Sequence, residues 1–357
     1  MATQTADISI DPATGLERIW FTRCPVPTAS GIAHSLGWLQ AEFGKDGLTV
    51  AALQDAPPSY NRHHYDHDLP GLFREGGNIP ALAAKANGSP SRLIGLTWID
   101  EWQAILVRKE VGPIEPADLK GLRIALPAYA ASRAGSIARG MTLAGIKGAL
   151  GIAGLCLEDV TFVDVPLHDL GNQPLGPERL QKLWSGIDWL AAGKVDAVYV
   201  KGASAVDAAH KADVIVGIDL DAYPSRLTRV NNGTPRPITV HQNLIDDHFD
   251  LVVRFLEQAL RAADWAAADL AGVHALLEQE TKAGPAGVAA AYRRNFHRAL
   301  HPDLSAERID MLKRQANFLW IHGFLEHSVD VDSWIDPRPL QAALSRRVAA
   351  LSGTNDR

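Results

Sequence analysis

Apolar and polar positions change period several times along the chain, and each change marks an element. Residues 17–22, Glu-Arg-Ile-Trp-Phe-Thr, read as a strand that runs into a turn holding Pro25 and Pro27. Thr28 or Ser30 then caps a helix to about Phe43, along which Ile32, Leu36, Leu39 and Phe43 recur at helical spacing. Gly44 and Gly47 stop that helix, and residues 48–53 read as a second strand. The chain thus opens with strand–helix–strand, the seed of a parallel sheet. Residues 54–80 break the pattern with Pro57, Pro58, Pro70, Gly71, Gly76 and Gly77, and read as a long loop leading into a helix from Pro80. Residues 92–96 and 103–108 follow as strands.

A second alternating unit begins at Glu115. Residues 123–126, 159–165, 196–200 and 213–218 read as strands. Between them, Ser132 caps a helix to about Leu143, which 145–154 continues after a glycine break, and residues 184–192 form a helix ended by Gly193. The last third is helical over 243–264, 267–281, 285–296 and 305–324, with Pro285 suited to a first turn. Alternation followed by helices predicts an α/β protein with a helical C-terminal tail.

Composition narrows the class. A chain of 357 residues suits two lobes or one large α/β unit, and 46% hydrophobic against 21% charged residues is enough apolar content to exclude general disorder. Lys and Arg number 35 against 41 Asp and Glu, a net charge of −6, which argues against a nucleic-acid partner. No apolar run approaches the ~20 residues that span a bilayer, so no membrane partner is expected. The N-terminus lacks a basic start and an apolar stretch, so a cytoplasmic location is expected. The two cysteines, Cys24 and Cys156, are expected to be free thiols there, and two are too few for a paired CxxC zinc site.

Three segments carry candidate chemistry. Cys24 stands in Arg23-Cys24-Pro25-Val26-Pro27, between a strand and a helix, where open α/β sheets bind ligands. Arg23 and a nearby helix N-terminus favour a thiolate there; a buried, inert cysteine is the bland alternative. Cys156 reads as structural. The segment Asn61-Arg-His-His-Tyr-Asp-His-Asp68 offers His63, His64, His67, Asp66 and Asp68. A metal site there needs a rigid frame, one histidine paired with Cys24 is more economical, and a merely solvated loop is the simplest reading. Arg74, followed by Gly76 and Gly77 at a helix start, makes an anion cradle of a forked guanidinium and approachable backbone N–H groups, or else a solvated helix start.

Two resemblances organise these signals. The segments 193–199, Gly-Lys-Val-Asp-Ala-Val-Tyr, and 118–125, Asp-Leu-Lys-Gly-Leu-Arg-Ile-Ala, resemble the second lobe of periplasmic substrate-binding proteins for nitrate, sulfonate and taurine. Cys24-Pro-Val-Pro27, His64, Arg74-x-Gly-Gly77-x-Ile-Pro80 and the C-terminal stretches 315–319 and 331–337 resemble the aromatic sulfinate desulfinases. The resemblance implies a periplasmic-binding-protein-like (type II) fold with two α/β lobes and a central cleft. Residues 1–112 and 225–357 would form the first lobe, and 113–224 the second. It implies an enzyme that hydrolyses an aromatic sulfinate to the arene and sulfite, with neither cofactor nor metal. Arg74 and the Gly77 N–H would hold the sulfinate, Cys24 would protonate the ipso carbon or attack sulfur, and His64 would tune the thiol. Trp38, Trp98 and Trp102 are candidates for an aromatic pocket. A monomer is expected. The alternatives are a non-catalytic solute-binding protein for a sulfonate, nitrate or similar small anion, and a relative of the thiamine-precursor synthases, which two cysteines fit poorly.

Overall fold

The computed structural model describes residues 16–133, 135–167 and 184–354. Strand β1 (Arg18–Phe21) leads through a tight turn into α1 (Ala29–Ser35), whose first turn is capped by the Thr28 hydroxyl accepting from the Gly31 N–H at 3.1 Å. The expected single helix to Phe43 is two helices. Gly37 adopts φ +73°, a left-handed conformation open to glycine, and α2 (Trp38–Phe43) restarts beyond it. Strand β2 (Thr49–Ala52) then pairs parallel with β1, as the alternation predicts.

The segment 54–80 is not one long loop. It holds short 3₁₀ turns, a single helical turn α3 (His63–Asp66), and a strand, β3 (Leu72–Glu75). Helix α4 (Asn78–Ala86) begins two residues before Pro80, which sits in the first turn, where a missing N–H costs no helical bond. Strands β4 (Ser91–Thr97) and β5 (Gln103–Arg108) follow. After β6 (Arg123–Pro127), helix α5 (Ile137–Ile152) runs unbroken through Gly145 and Gly148, and it starts at the Ser136 cap position rather than at Ser132. Its glycines serve packing: an added Cβ at Gly145 would stand 2.1 Å from the Tyr199 ring, and one at Gly148 would stand 2.1 Å from the Thr228 carbonyl. Strand β7 (Thr161–Val165), α6 (Gly186–Ala191), β8 (Val198–Lys201), α7 (Ala203–Lys211) and β9 (Val214–Asp219) complete the second alternating unit.

Besides β3, one further strand was not expected. β10 (Arg236–His241) enters the first sheet between β3 and β4, antiparallel to both. That sheet has the order β2-β1-β3-β10-β4; a second has β8-β5-β9, and β6 pairs parallel with β7. A bridge between Ile124 and Ala197 links β6 to the start of β8. By hydrogen bonding β5 belongs with β8 and β9, although it lies before the 112/113 division expected between lobes. The rest of the chain is helical: α8 (Gln242–Asp247), α9 (Phe249–Ala268), α10 (Leu270–Thr281), α11 (Pro285–Ala291), α12 (Ala306–Ile321), α13 (Val331–Trp334) and α14 (Arg338–Thr354). The predicted helix over 243–264 is divided at His248, whose φ of −137° is not helical. Helix α9 covers the first sheet and stacks Phe255 on Phe73 of β3 at 3.8 Å. Among the described residues no helix is long and apolar enough to cross a membrane.

This topology sets one edge apart. β1 and β3 are adjacent and parallel, with Phe21 opposite Phe73, so their carboxyl ends lie side by side. β10 runs against β3, with Ile238 opposite Glu75, so its amino end, at Arg236, meets the same edge.

Candidate active site

Cys24 follows β1 by three residues, and the backbone around it is held by β3. The Thr22 N–H donates to the Phe73 carbonyl at 3.1 Å, and the Thr22 hydroxyl donates to the Glu75 carbonyl at 2.9 Å. The partly buried Cys24 thiol lies 3.7 Å from that same Glu75 carbonyl oxygen, as donor. Beyond it the chain folds tightly, with Val26 N–H on the Cys24 carbonyl and Thr28 N–H on the Val26 carbonyl, both at 2.8 Å. The Glu75 carboxylate is buried and accepts from the Ser30 N–H and hydroxyl at 2.9 and 2.7 Å and from the Thr97 hydroxyl at 3.0 Å. It thereby ties the start of α1 to β3 and β4. Arg23, expected to act on the thiol, instead donates to both oxygens of Asp55, at 2.9 and 2.6 Å.

Arg74 is 1% exposed. Its Nε donates to the His64 carbonyl at 3.2 Å, while Nη1 and Nη2 are buried without a partner. Gly76 makes room for them: an added Cβ there would stand 2.9 Å from Cζ and from Nη1. Burial pushes Arg74 down to about 10; the Arg236 charge acts in the same direction, and Cys24 and Tyr65 oppose it. Arg74 therefore remains a cation at neutral pH. His64 is held to about 3 by burial first, then by Arg74 and Arg236, so its ring is neutral. The ring meets Tyr65 edge-on at 5.1 Å, and its Nδ1 is buried without a partner. Cys24 and His64 are not hydrogen-bonded to each other; what His64 gives the site by direct contact is its carbonyl, on Arg74.

Gly77 caps α4. The N–H groups of Asn78 and Ile79 are taken by the Asn232 carbonyl and side-chain oxygen, at 2.6 and 3.0 Å. Gly77 is fixed by close approach, since an added Cβ would stand 2.6 Å from the Asn232 amide. Of the other polar loop residues, His63 Nδ1 pairs with Asp66 at 3.0 Å, and the Asp68 N–H donates to the same carboxylate at 2.9 Å. His67 is buried with both ring nitrogens unpartnered, and burial, then Arg74 and His64, hold it well below the usual histidine range. Among the described residues no three His, Cys, Asp or Glu side chains are grouped to hold a metal ion.

Other expectations fall elsewhere. Trp98 and Trp102 are buried, and the Arg261 guanidinium covers Trp38 at 3.8 Å from the ring centre. Cys156 is exposed, and its hydrogen bonds to Asp159 and Glu158 push the thiol up, away from reactivity. It borders a cavity of about 940 Å³ between α5 and α12 that contains none of Cys24, His64, Arg74 or Gly77. One residue that sequence reasoning passed over joins the site. Arg236 is 5% exposed, its Nε has no partner, and its charge acts on both Arg74 and His64. Its signal was an arginine between Pro235 and Pro237, just after Asn231-Asn232-Gly233.

No family model matches the chain. It is similar to the 2′-hydroxybiphenyl-2-sulfinate desulfinases of Rhodococcus erythropolis and Rhodococcus qingshengii. Each is 26% identical over 366 aligned residues, which span 92% of this chain and 94% of theirs. The crystal structure of the desulfurization enzyme DSZB superposes with a TM-score of 0.71 at 24% identity, covering 93% of this chain and 100% of that one. A cysteine-to-serine mutant of DSZB in complex with biphenyl-2-sulfinic acid gives 0.69 at 24% identity, covering 92% and 99%. The periplasmic aliphatic sulphonate binding protein SsuA from Escherichia coli gives 0.65 at 16% identity, covering 90% and 92%. The fold is thus the α/β periplasmic-binding-protein-like fold that the resemblance implies.

Proposed function

We propose that this chain is an aromatic sulfinate desulfinase. The observation that carries the reading is a buried arginine with both terminal nitrogens free, Arg74, placed at the same sheet edge as a thiol. An unpaired buried charge is costly, so the site is built for a ligand that supplies acceptors. A sulfinate has two oxygens and one negative charge, which suits a forked guanidinium. The Gly77 N–H adds a donor from the backbone. Similarity to sulfinate desulfinases over 92% of the chain supports that ligand class.

The Cys24 sulfur lies 3.7 Å from the Glu75 carbonyl oxygen, a partner that a thiol can donate to and that offers a thiolate no hydrogen, and we take the thiol as the acid on that ground. In the proposed step the ring ipso carbon takes the thiol proton as the carbon–sulfur bond breaks. The bond's electron pair stays on carbon to make the arene, and sulfur dioxide departs. Water adds to it, giving hydrogensulfite and a proton that restores the thiol. The sum is ArSO₂⁻ + H₂O → ArH + HSO₃⁻. It is redox-neutral, so the proposal includes no cofactor. His64 is assigned as a positioning residue that orients Arg74 through its carbonyl and, being neutral, adds no further positive charge. We take the first sheet with its helices as the lobe that carries this machinery and the sheet β8-β5-β9 as part of the facing lobe.

The test is sulfite release across a panel of aryl and alkyl sulfinates. Aryl members are expected to release sulfite, and Cys24→Ser is expected to abolish release while an unreactive aryl sulfonate still binds. Binding of every member with no sulfite from any would mark a solute-binding protein, the reading favoured by the likeness to SsuA.

A further inference from the structure

Four arginines are buried among the described residues, and they fall into two kinds. Arg229 donates to Asp100 at 3.2 and 3.3 Å and to the Tyr223 carbonyl at 3.0 Å. Arg308 donates to the carbonyls of Leu96, His301 and Ala299 at 2.6, 2.8 and 3.2 Å. These two are partnered by several acceptors each, as buried guanidinium groups ordinarily are. Arg74 has one hydrogen bond, and Arg236 makes none to any described residue. The fold evidently can satisfy a buried arginine, and at these two positions it does not.

Arg236 is close to the proposed sulfinate cradle yet occupies its own corner. Asn232 packs against Gly77, and Asn78 holds the following turn by donating to the carbonyls of Asn231 and Pro235 at 2.6 and 2.9 Å. One residue on, an added Cβ at Gly233 would stand 2.8 Å from Arg236 Nη2 and 3.2 Å from Lys201 Nζ. Arg236 and Lys201 therefore share one corner, at Gly233, next in sequence to the Asn232 that packs on Gly77. Lys201 is paired with the buried Glu101 at 2.8 Å, and Glu101 also accepts from the Tyr292 hydroxyl at 3.2 Å. Lys201 is thus answered by Glu101, and the buried Glu75 carboxylate is taken by Ser30 and Thr97. Arg74 and Arg236 are hydrogen-bonded to no carboxylate among the described residues, and two such guanidinium groups are one more than a single sulfinate engages.

We propose that the substrate is a dianion, an aromatic sulfinate bearing a carboxylate on its organic body, and that Arg236, backed by Lys201, receives the carboxylate. The inference rests on the desulfinase reading, in which Arg74 holds the sulfinate. A carboxylate matches a guanidinium fork with two parallel hydrogen bonds, and a hydroxyl or a bare ring does not. Arg236 is then a specificity-determining residue: it selects which aryl sulfinate is bound and takes no part in breaking the carbon–sulfur bond.

The experiment is calorimetric titration of the full chain with benzenesulfonate and with the three ring isomers of sulfobenzoate, all unreactive. At least one isomer is expected to bind tenfold or more tighter than benzenesulfonate. Arg236→Met is expected to abolish that preference, while benzenesulfonate, which loses only the attraction of a nearby positive charge, binds a few-fold more weakly than to the unmodified chain. Arg236→Lys, which keeps charge and size but loses the fork, is expected to retain only part of the preference. If no isomer is preferred by the unmodified chain, or if the preference survives in folded Arg236→Met, the proposal is overturned. The unmodified comparison decides the matter even if that variant does not fold. If no sulfonate binds at all, the Arg74 reading fails, and this inference falls with it.

Discussion

Arg74 is the residue on which the proposed site depends most directly. It is held by a single hydrogen bond, from Nε to the His64 carbonyl, and its other donors are free. Losing one partner of a buried charge pair costs about 3–5 kcal/mol, so Arg74→Ala is expected to weaken binding of an aryl sulfonate by roughly a hundredfold or more. Arg74→Lys should weaken it too, because a point charge replaces a fork. Titration of both variants checks this, and unchanged affinity in Arg74→Ala would place the anion site elsewhere. Gly76→Ala supplies an independent test, since its Cβ would crowd the guanidinium at 2.9 Å and should impair binding without removing any charge. Cys24 was legible in the sequence at a proline-marked strand–turn–helix junction, and Arg74 and Gly77 through the double glycine at a helix start, although the strand that carries Arg74 was not read. The contact His64 makes was not, since it uses a carbonyl and sequence reasoning weighs side chains. Nor was Arg236, whose meaning comes from partners it lacks.

At the scale of elements, the strands missed were those whose residues do not look like strands. β3 is Leu-Phe-Arg-Glu and β10 is Arg-Pro-Ile-Thr-Val-His, and both are almost wholly buried. Their charged members are there for the site and for the Glu75 tie, so function overrode the apolar pattern from which strands are read. The opposite error arose in α5, where Gly145 suggested a break and the helix continues. Three glycines of that helix now separate by mechanism. Gly145→Ala would drive a Cβ into the Tyr199 ring, and overpacking of that kind costs typically 1–3 kcal/mol, about that or more here. Gly148→Ala meets the Thr228 backbone and should also destabilise. Gly151→Ala meets nothing within 4 Å and should stabilise by about 0.5–1 kcal/mol, the helical advantage of alanine. Denaturant midpoints of the three variants check the order, and equal effects would contradict it.

At the scale of the whole molecule, alternation and composition sufficed for the α/β class and the helical tail, because periodicity reports burial directly. The pairing of β5 with β8 and β9 is long-range and leaves no local trace. Burial of His64 and His67 in a cationic surround has a global consequence. Both are neutral when folded, whereas an unfolded histidine takes up a proton near pH 6.5. Between about pH 6.5 and the folded value, about 3 for His64, the unfolded state binds more protons, so stability falls as pH falls through that window. Each such histidine contributes up to about 1.4 kcal/mol per pH unit there. His67→Gln should flatten the pH dependence of stability below pH 6.5, and an unchanged slope would contradict the neutral, buried state. The central claim concerns chemistry, and a single-turnover reaction of an aryl sulfinate in heavy water tests it most directly, with arene and sulfite counted by mass spectrometry. The account predicts one sulfite per arene, a single deuterium at the ipso carbon, and neither product with Cys24→Ser. Sulfite formed normally by that variant, or oxygen instead of deuterium at the ipso carbon, would contradict it.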